Sequence, residues 1–217
     1  MTILFGWDLN LTLEEGSHLI IWEFMNRQAK RDGYNQVTID QVLDLYGHPL
    51  DEFYRNLFGV EDPLLTTLRE EGEQISSTLY PLMKLTPHAQ QVLEWIAEAG
   101  HDSVIASHTT HTEVEKMVDH LEIGHLLTAF NGVPGNPKNF DSKSSILRHQ
   151  MAKAEYDRVI MIGDSTQDIE AGIEVGATTY LFQPPCKYSF PYEQGKADHL
   201  IADLRDIVRN EIPVGNL

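Results

Sequence analysis

"FGWDLNLTL", residues 5–13, runs from apolar residues into a set of alternating polar ones. The apolar run that begins at Ile3 ends at Trp7, directly before Asp8. Five residues are too few for a stable helix and suit a strand buried on both faces. Such a strand presents its carboxyl end to the loops where α/β proteins collect ligands. Here that end carries a carboxylate (Asp8), an amide (Asn10) and a hydroxyl (Thr12). A carboxylate at the end of a buried strand is costly unless a cation or backbone donors compensate it. Taken singly, Asp8 reads equally as a turn or helix-capping aspartate.

Similar apolar runs recur at "SVIAS" (103–107), "RVIMIG" (158–163), "TTYLF" (178–182) and "DHLIA" (198–202). Helical patterns lie between them. "PHAQQVLEWIAEAG" sets Ala89, Val92, Leu93, Ile96 and Ala97 on one face, opens at Pro87 and stops at Gly100. "TEVEKMVDHLEIG" and "SKSSILRHQMAKA" behave alike. Alternating strands and helices predict an α/β fold with a parallel sheet covered on both faces, a Rossmann-like doubly wound core. Residues 15 to about 80 break the rhythm: their periodic segments are helical only, punctuated by Gly33, Gly47, Gly59 and Pro63. The expected organisation is therefore an α/β part, 1–14 and 81–217, with an all-helical insertion at 15–80. "QPPCKYSFPYEQG" reads as a Pro-rich loop.

Composition narrows the class. The 217 residues, 41% hydrophobic and 23% charged, are ordinary for a globular chain. Sixteen basic against 33 acidic side chains give a net charge of −17, which opposes broad contact with nucleic acid or an anionic membrane. A small phosphorylated ligand in one pocket stays compatible. The insertion has twelve acidic and five basic residues, Lys30 being its only lysine. The single cysteine, Cys186, cannot form an internal disulfide, and no apolar run approaches membrane-spanning length. A cytoplasmic location is expected.

The polar residues closing the other runs are the remaining candidates. "GDSTQD" offers Asp164 and Asp168, which read as half of a hard-cation site or, for Asp168 with Ser165, as a helix capping box. Asp8 and Asp164, each ending a parallel strand, could converge on one Mg²⁺. Ser107 could donate to an anionic oxygen or cap a helix. Lys143 opens a helix, where the dipole disfavours a cation, so an anionic partner would explain it; Lys138 competes for that role. His108 and His111 have helical spacing, but no third zinc ligand is fixed. "DLNLTLEEG" lacks the sixth-position glycine of a calcium loop.

Taken in order, "FGWDLNLTL", "SVIASHT", "DSKSSIL" and "VIMIGDSTQDIEAG" resemble the four motifs of the haloacid dehalogenase superfamily of hydrolases. "SHLIIWEFMNRQAKRDG" and "YGHPLDEFYRNLFG" look like the helical cap of its phosphoglycolate phosphatase and β-phosphoglucomutase branch. The resemblance implies Asp8 as a nucleophile toward phosphorus. It implies Mg²⁺ held by Asp8, Asp164 and the backbone carbonyl of Asn10, with Asp168 supporting the metal shell. Ser107 and Lys143 would bind phosphoryl oxygens, and His108 next to Ser107 would touch substrate. Specificity for a small phosphorylated substrate would be set by the insertion, where Arg55, His48 and Tyr54 of "GHPLDEFYR" read equally as substrate contacts or as surface residues. A monomer or homodimer is expected.

Position 10 departs from that pattern. Phosphatases of the superfamily carry a second aspartate there, which protonates the leaving group and then activates water, and an amide can do neither. Loss of such a group costs about 10² to 10⁴ in rate. Leu11 also replaces the usual glycine. Three readings follow: a slowed phosphatase, a phosphate-binding protein without useful turnover, or another chemistry of the superfamily. The last group includes dehalogenation, phosphonate hydrolysis through Lys30 and phosphoryl mutation.

Overall fold

The computed structural model describes residues 1–46, 48–186 and 196–212, and most of the Pro-rich loop lies outside them. In chain order the elements begin with β1 (Ile3–Trp7) and β2 (Glu14–Glu15). Four helices follow: α1 (Ser17–Asp32), α2 (Ile39–Asp44), α3 (Leu50–Phe58) and α4 (Leu64–Ser77). The chain continues through β3 (Lys84–Leu85), α5 (Ala89–Glu98), β4 (Asp102–Ser107), α6 (His111–His120) and β5 (Ala129–Gly132). It closes with α7 (Lys143–Met151), β6 (Arg158–Gly163), α8 (Thr166–Val175), β7 (Thr178–Phe182), β8 (His199–Ile201) and α9 (Arg205–Glu211).

Chain contacts separate two compact units. One holds Met1–Glu15, Leu85–Pro185 and the described C-terminal stretch 196–212; the other holds Gly16–Lys84. The second unit thus ends four residues beyond the predicted boundary at 80, after a single 3₁₀ turn at Tyr80–Leu82.

The first unit is built on a six-stranded sheet in the order β5-β4-β1-β6-β7-β8, with every pairing parallel. All five residues of β1 are buried, as the unbroken apolar run requires. Leu4, Val104, Ala106, Ile146, Leu147 and Met161 form one cluster of the core, where β1, β4 and β6 meet α7. Strand order reverses at β1: the chain adds β4 and β5 on one side and β6, β7 and β8 on the other. Ligands of open parallel sheets sit at such a switch point, beyond the carboxyl ends of the strands. Register puts the candidate residues there together, because Trp7 lies opposite Ile105 on one side and Ile162 on the other. Asp8 is one residue beyond that row, and Ser107 and Asp164 are two.

The second unit is helical, as its sequence pattern predicts. Its interior is fixed by Tyr54, whose hydroxyl lies 2.8 Å from both Gln28 Oε1 and the Leu68 carbonyl. Tyr54 is fully buried, which corrects the expectation that it offers a substrate contact. Helix α1 stops at Gly33, whose φ of 80° is the left-handed conformation that a β-carbon disfavours.

Candidate active site

The site begins at the end of β1. The Asp8 N–H donates to the Ile162 carbonyl at 2.8 Å, so the sheet ladder itself fixes this residue. The chain then turns tightly, with Leu13 and Glu14 N–H groups both donating to the Leu9 carbonyl at 3.0 Å. Leu11, at the crest, has φ 59°. That conformation costs a non-glycine residue about 1–2 kcal/mol. The Leu11 side chain is 1% exposed, so apolar burial offsets the strain that a glycine would avoid.

Lys143 resolves the ambiguity left by the sequence. It is the first residue of α7, whose N-terminus is closed by a reciprocal Ser142–Ser145 capping box. Its ammonium group is buried and sits 2.5 Å from Asp8 Oδ1 and 2.6 Å from Asp168 Oδ1. The dipole penalty at the helix start is thus met by two carboxylates. Both anions hold the lysine pKa above its ordinary value despite burial, so it stays charged. Burial pushes the Asp8 carboxyl up to about 6, against the opposing pull of Lys143. Lys138 is exposed, 5.9 Å from the Phe140 ring, and takes no part in the cluster.

Asp164 and Asp168 divide the labour of "GDSTQD". Asp164, just past β6, accepts from the Thr12 hydroxyl at 3.3 Å. Asp168 has both carboxylate oxygens engaged. Oδ1 accepts from Lys143, while Oδ2 accepts from the Ser165 N–H at 3.1 Å and the Ser165 hydroxyl at 2.6 Å. The capping box read from the sequence is thus present, and the same carboxylate also meets Lys143. Gly163 makes this possible: a β-carbon there would lie 2.1 Å from Asp168 Cγ.

Asn10 faces β4. Its Oδ1 accepts from the Thr109 hydroxyl at 2.8 Å and the Ser107 hydroxyl at 3.4 Å, while its Nδ2 donates to Glu14 Oε1 at 3.3 Å. Sequence reasoning missed Thr109 and Glu14. Thr109 follows a strand end two residues after Ser107, a position that could have been flagged. Glu14 in "LEEG" carries no such signal and looks like a surface residue. His108 is exposed beside Ser107, with its pKa lowered first by partial desolvation and then by the Lys143 cation. His111 accepts from the Gly132 N–H at 3.4 Å and belongs to no metal cluster among the described residues. In the helical unit, His48 is exposed and Arg55 pairs with Glu52 at 2.9 Å and Glu61 at 3.4 Å.

Asp8, Asp164 and Asp168 are buried and each offers an oxygen within 4.8 Å of the others, which suits one hard cation. Three carboxylates against one ammonium leave the cluster formally at −2, the charge a divalent ion would neutralise. The donor set thus fits a divalent metal.

The chain thus joins a six-stranded parallel α/β core, a helical unit inserted after its first strand and an acidic cluster with a buried lysine. The family of haloacid dehalogenase-like hydrolases matches residues 3–182, and the chain belongs to it. Solved structures share the fold. A predicted phosphoglycolate phosphatase from Haemophilus somnus is 18% identical with a TM-score of 0.84, over 95% of this chain and 96% of that one. A provisionally assigned β-phosphoglucomutase from Thermotoga maritima is 16% identical with a TM-score of 0.75, over 98% and 100%. A mutant of CbbY from Rhodobacter sphaeroides, solved with xylulose-1,5-bisphosphate, is 16% identical with a TM-score of 0.74, over 95% and 96%. Comparison with curated proteins yields no match.

Proposed function

We propose that this protein is a Mg²⁺-dependent phosphatase of a small phosphorylated metabolite, with Asp8 as nucleophile and with turnover slowed by Asn10. The observation that carries the reading is the contact of Lys143 with both Asp8 and Asp168 inside a three-aspartate cluster at the sheet's switch point. In this account Asp8 attacks phosphorus through the carboxylate oxygen not held by Lys143. The P–O bond to the leaving group breaks as the aspartyl–phosphorus bond forms. Lys143 and the Ser107 hydroxyl bind the phosphoryl oxygens and gather the charge that develops on them. Asp8, Asp164 and the Asn10 backbone carbonyl would hold Mg²⁺, whose charge lets a carboxylate approach an anionic ester. Asp168 keeps Lys143 in place.

The leaving group and the water of the second step lack an acid or base at position 10, since an amide does not titrate. Esters of acidic alcohols, aryl phosphates and acyl phosphates therefore suit the site best. The sugar bisphosphate named for the CbbY mutant is of the small phosphorylated class proposed here. A second reading, binding without useful turnover, is favoured by one observation: the Asn10 amide is held at both ends by fixed partners. A panel of phosphate esters with Mg²⁺ separates the two. Phosphate release that vanishes on chelation and in Asp8→Asn supports the phosphatase, whereas saturable binding with no release from any ester supports the binder.

A further inference from the structure

Glu14 is a carboxylate with 0% exposure, one turn beyond the residue whose chemistry is in question. Its Oε1 accepts from two donors, the Leu11 backbone N–H at 3.2 Å and the Asn10 side-chain amide at 3.3 Å. The first contact fixes the second. Leu11 sits at the strained crest of the loop, and its N–H requires an acceptor at that point, so residue 10 meets an oxygen whatever its own side chain is. Asn10 answers with its one donating group and turns its oxygen to the hydroxyls of Thr109 and Ser107. We infer that Glu14 is the positioning residue that makes position 10 amide-specific, so the site is built around Asn10 rather than having merely lost a carboxylate there.

An ionised aspartate at position 10 has no donor to offer. One of its oxygens would face the Glu14 carboxylate across a hydrogen-bond distance in a buried loop, where like charges repel strongly and an unmet acceptor is costly. Restoring the carboxylate alone would then push the side chain off the Ser107 and Thr109 hydroxyls. Neutralising Glu14 as glutamine removes the charge but keeps an oxygen for Leu11 and Asn10. The pairing itself stands on hydrogen-bond geometry, and only its consequence for turnover rests on the phosphatase reading.

The test is a four-protein cycle: the wild type, Asn10→Asp, Glu14→Gln and the double variant, followed by thermal unfolding and by Mg²⁺-dependent release of phosphate from an aryl phosphate. Glu14→Gln is expected to melt close to the wild type. Asn10→Asp should lower the melting temperature clearly in the Glu14 background and much less in the Glu14→Gln background. In turnover, the double variant should exceed Asn10→Asp by about tenfold or more, within the range that an acid/base group supplies. Equal loss of melting temperature in both backgrounds overturns the inference. Should Asn10→Asp fail to fold, folding of the double variant supports the pairing and its failure to fold overturns it. Coupled melting temperatures with no phosphate release from any of the four leave the pairing standing and remove the phosphatase reading instead.

Discussion

Lys143 carries the largest share of the site at the scale of a single residue. Its ammonium group bridges the Asp8 and Asp168 carboxylates, each under 3 Å from it. Removing one partner of a buried charge network typically costs about 3–5 kcal/mol, because the anions left behind have neither solvent nor counterion. Lys143→Met should therefore lower unfolding stability by that order in metal-free buffer, measured by denaturant titration, and abolish turnover. A stability change below about 1 kcal/mol would mean that the carboxylates are not relying on the lysine. The sequence exposed Lys143 only as an anomaly, a cation at a helix start. Its partners, 135 and 25 residues away, were not legible, since distance in space leaves no periodic trace in the chain. The same holds for the contact of Thr109 with Asn10 across 99 residues.

At the scale of elements, the strand-to-helix turn from β6 into α8 is the most sensitive joint. Gly163 lets the Asp168 carboxyl fold back against the backbone, where a β-carbon would sit 2.1 Å from Cγ. Gly163→Ala should displace Asp168, cost about 1–3 kcal/mol as an overpacked site does, and reduce turnover more than stability. Full activity in this variant would show that Asp168 is not held for the chemistry. Elements of this kind were largely legible. A strand buried on both faces is an unbroken apolar run, and β1, β4, β6 and β7 are each such a run. Edge strand β5, "AFNG", escaped because it has four residues and carries Asn131. Helix α2 was visible through its apolar spacing, while its Thr38–Gln41 capping box became evident only in the structure.

For the whole molecule, four stretches spread from Asp8 to Asp168 converge on one cluster because the sheet order brings β1, β4 and β6 side by side. Parallel topology was readable from the alternation of strand and helix, but the order of the strands was not. Only that order turns separate polar strand ends into a site. In the proposed mechanism of the assembled cluster, Asp8 takes a phosphoryl group and the amide at position 10 delays its release to water. Covalent phosphate should accumulate on Asp8, because the first step with an acidic leaving group needs little proton donation while the second lacks its base. The direct measurement is acid quenching of the protein with an aryl phosphate and Mg²⁺, followed by mass-spectrometric mapping of the modified peptide. The account predicts a phosphoryl group on Asp8 at a large fraction of the protein, absent without Mg²⁺ and in Asp8→Asn. Phosphate released steadily by a protein that never carries it on Asp8, or label that persists in Asp8→Asn, would contradict it.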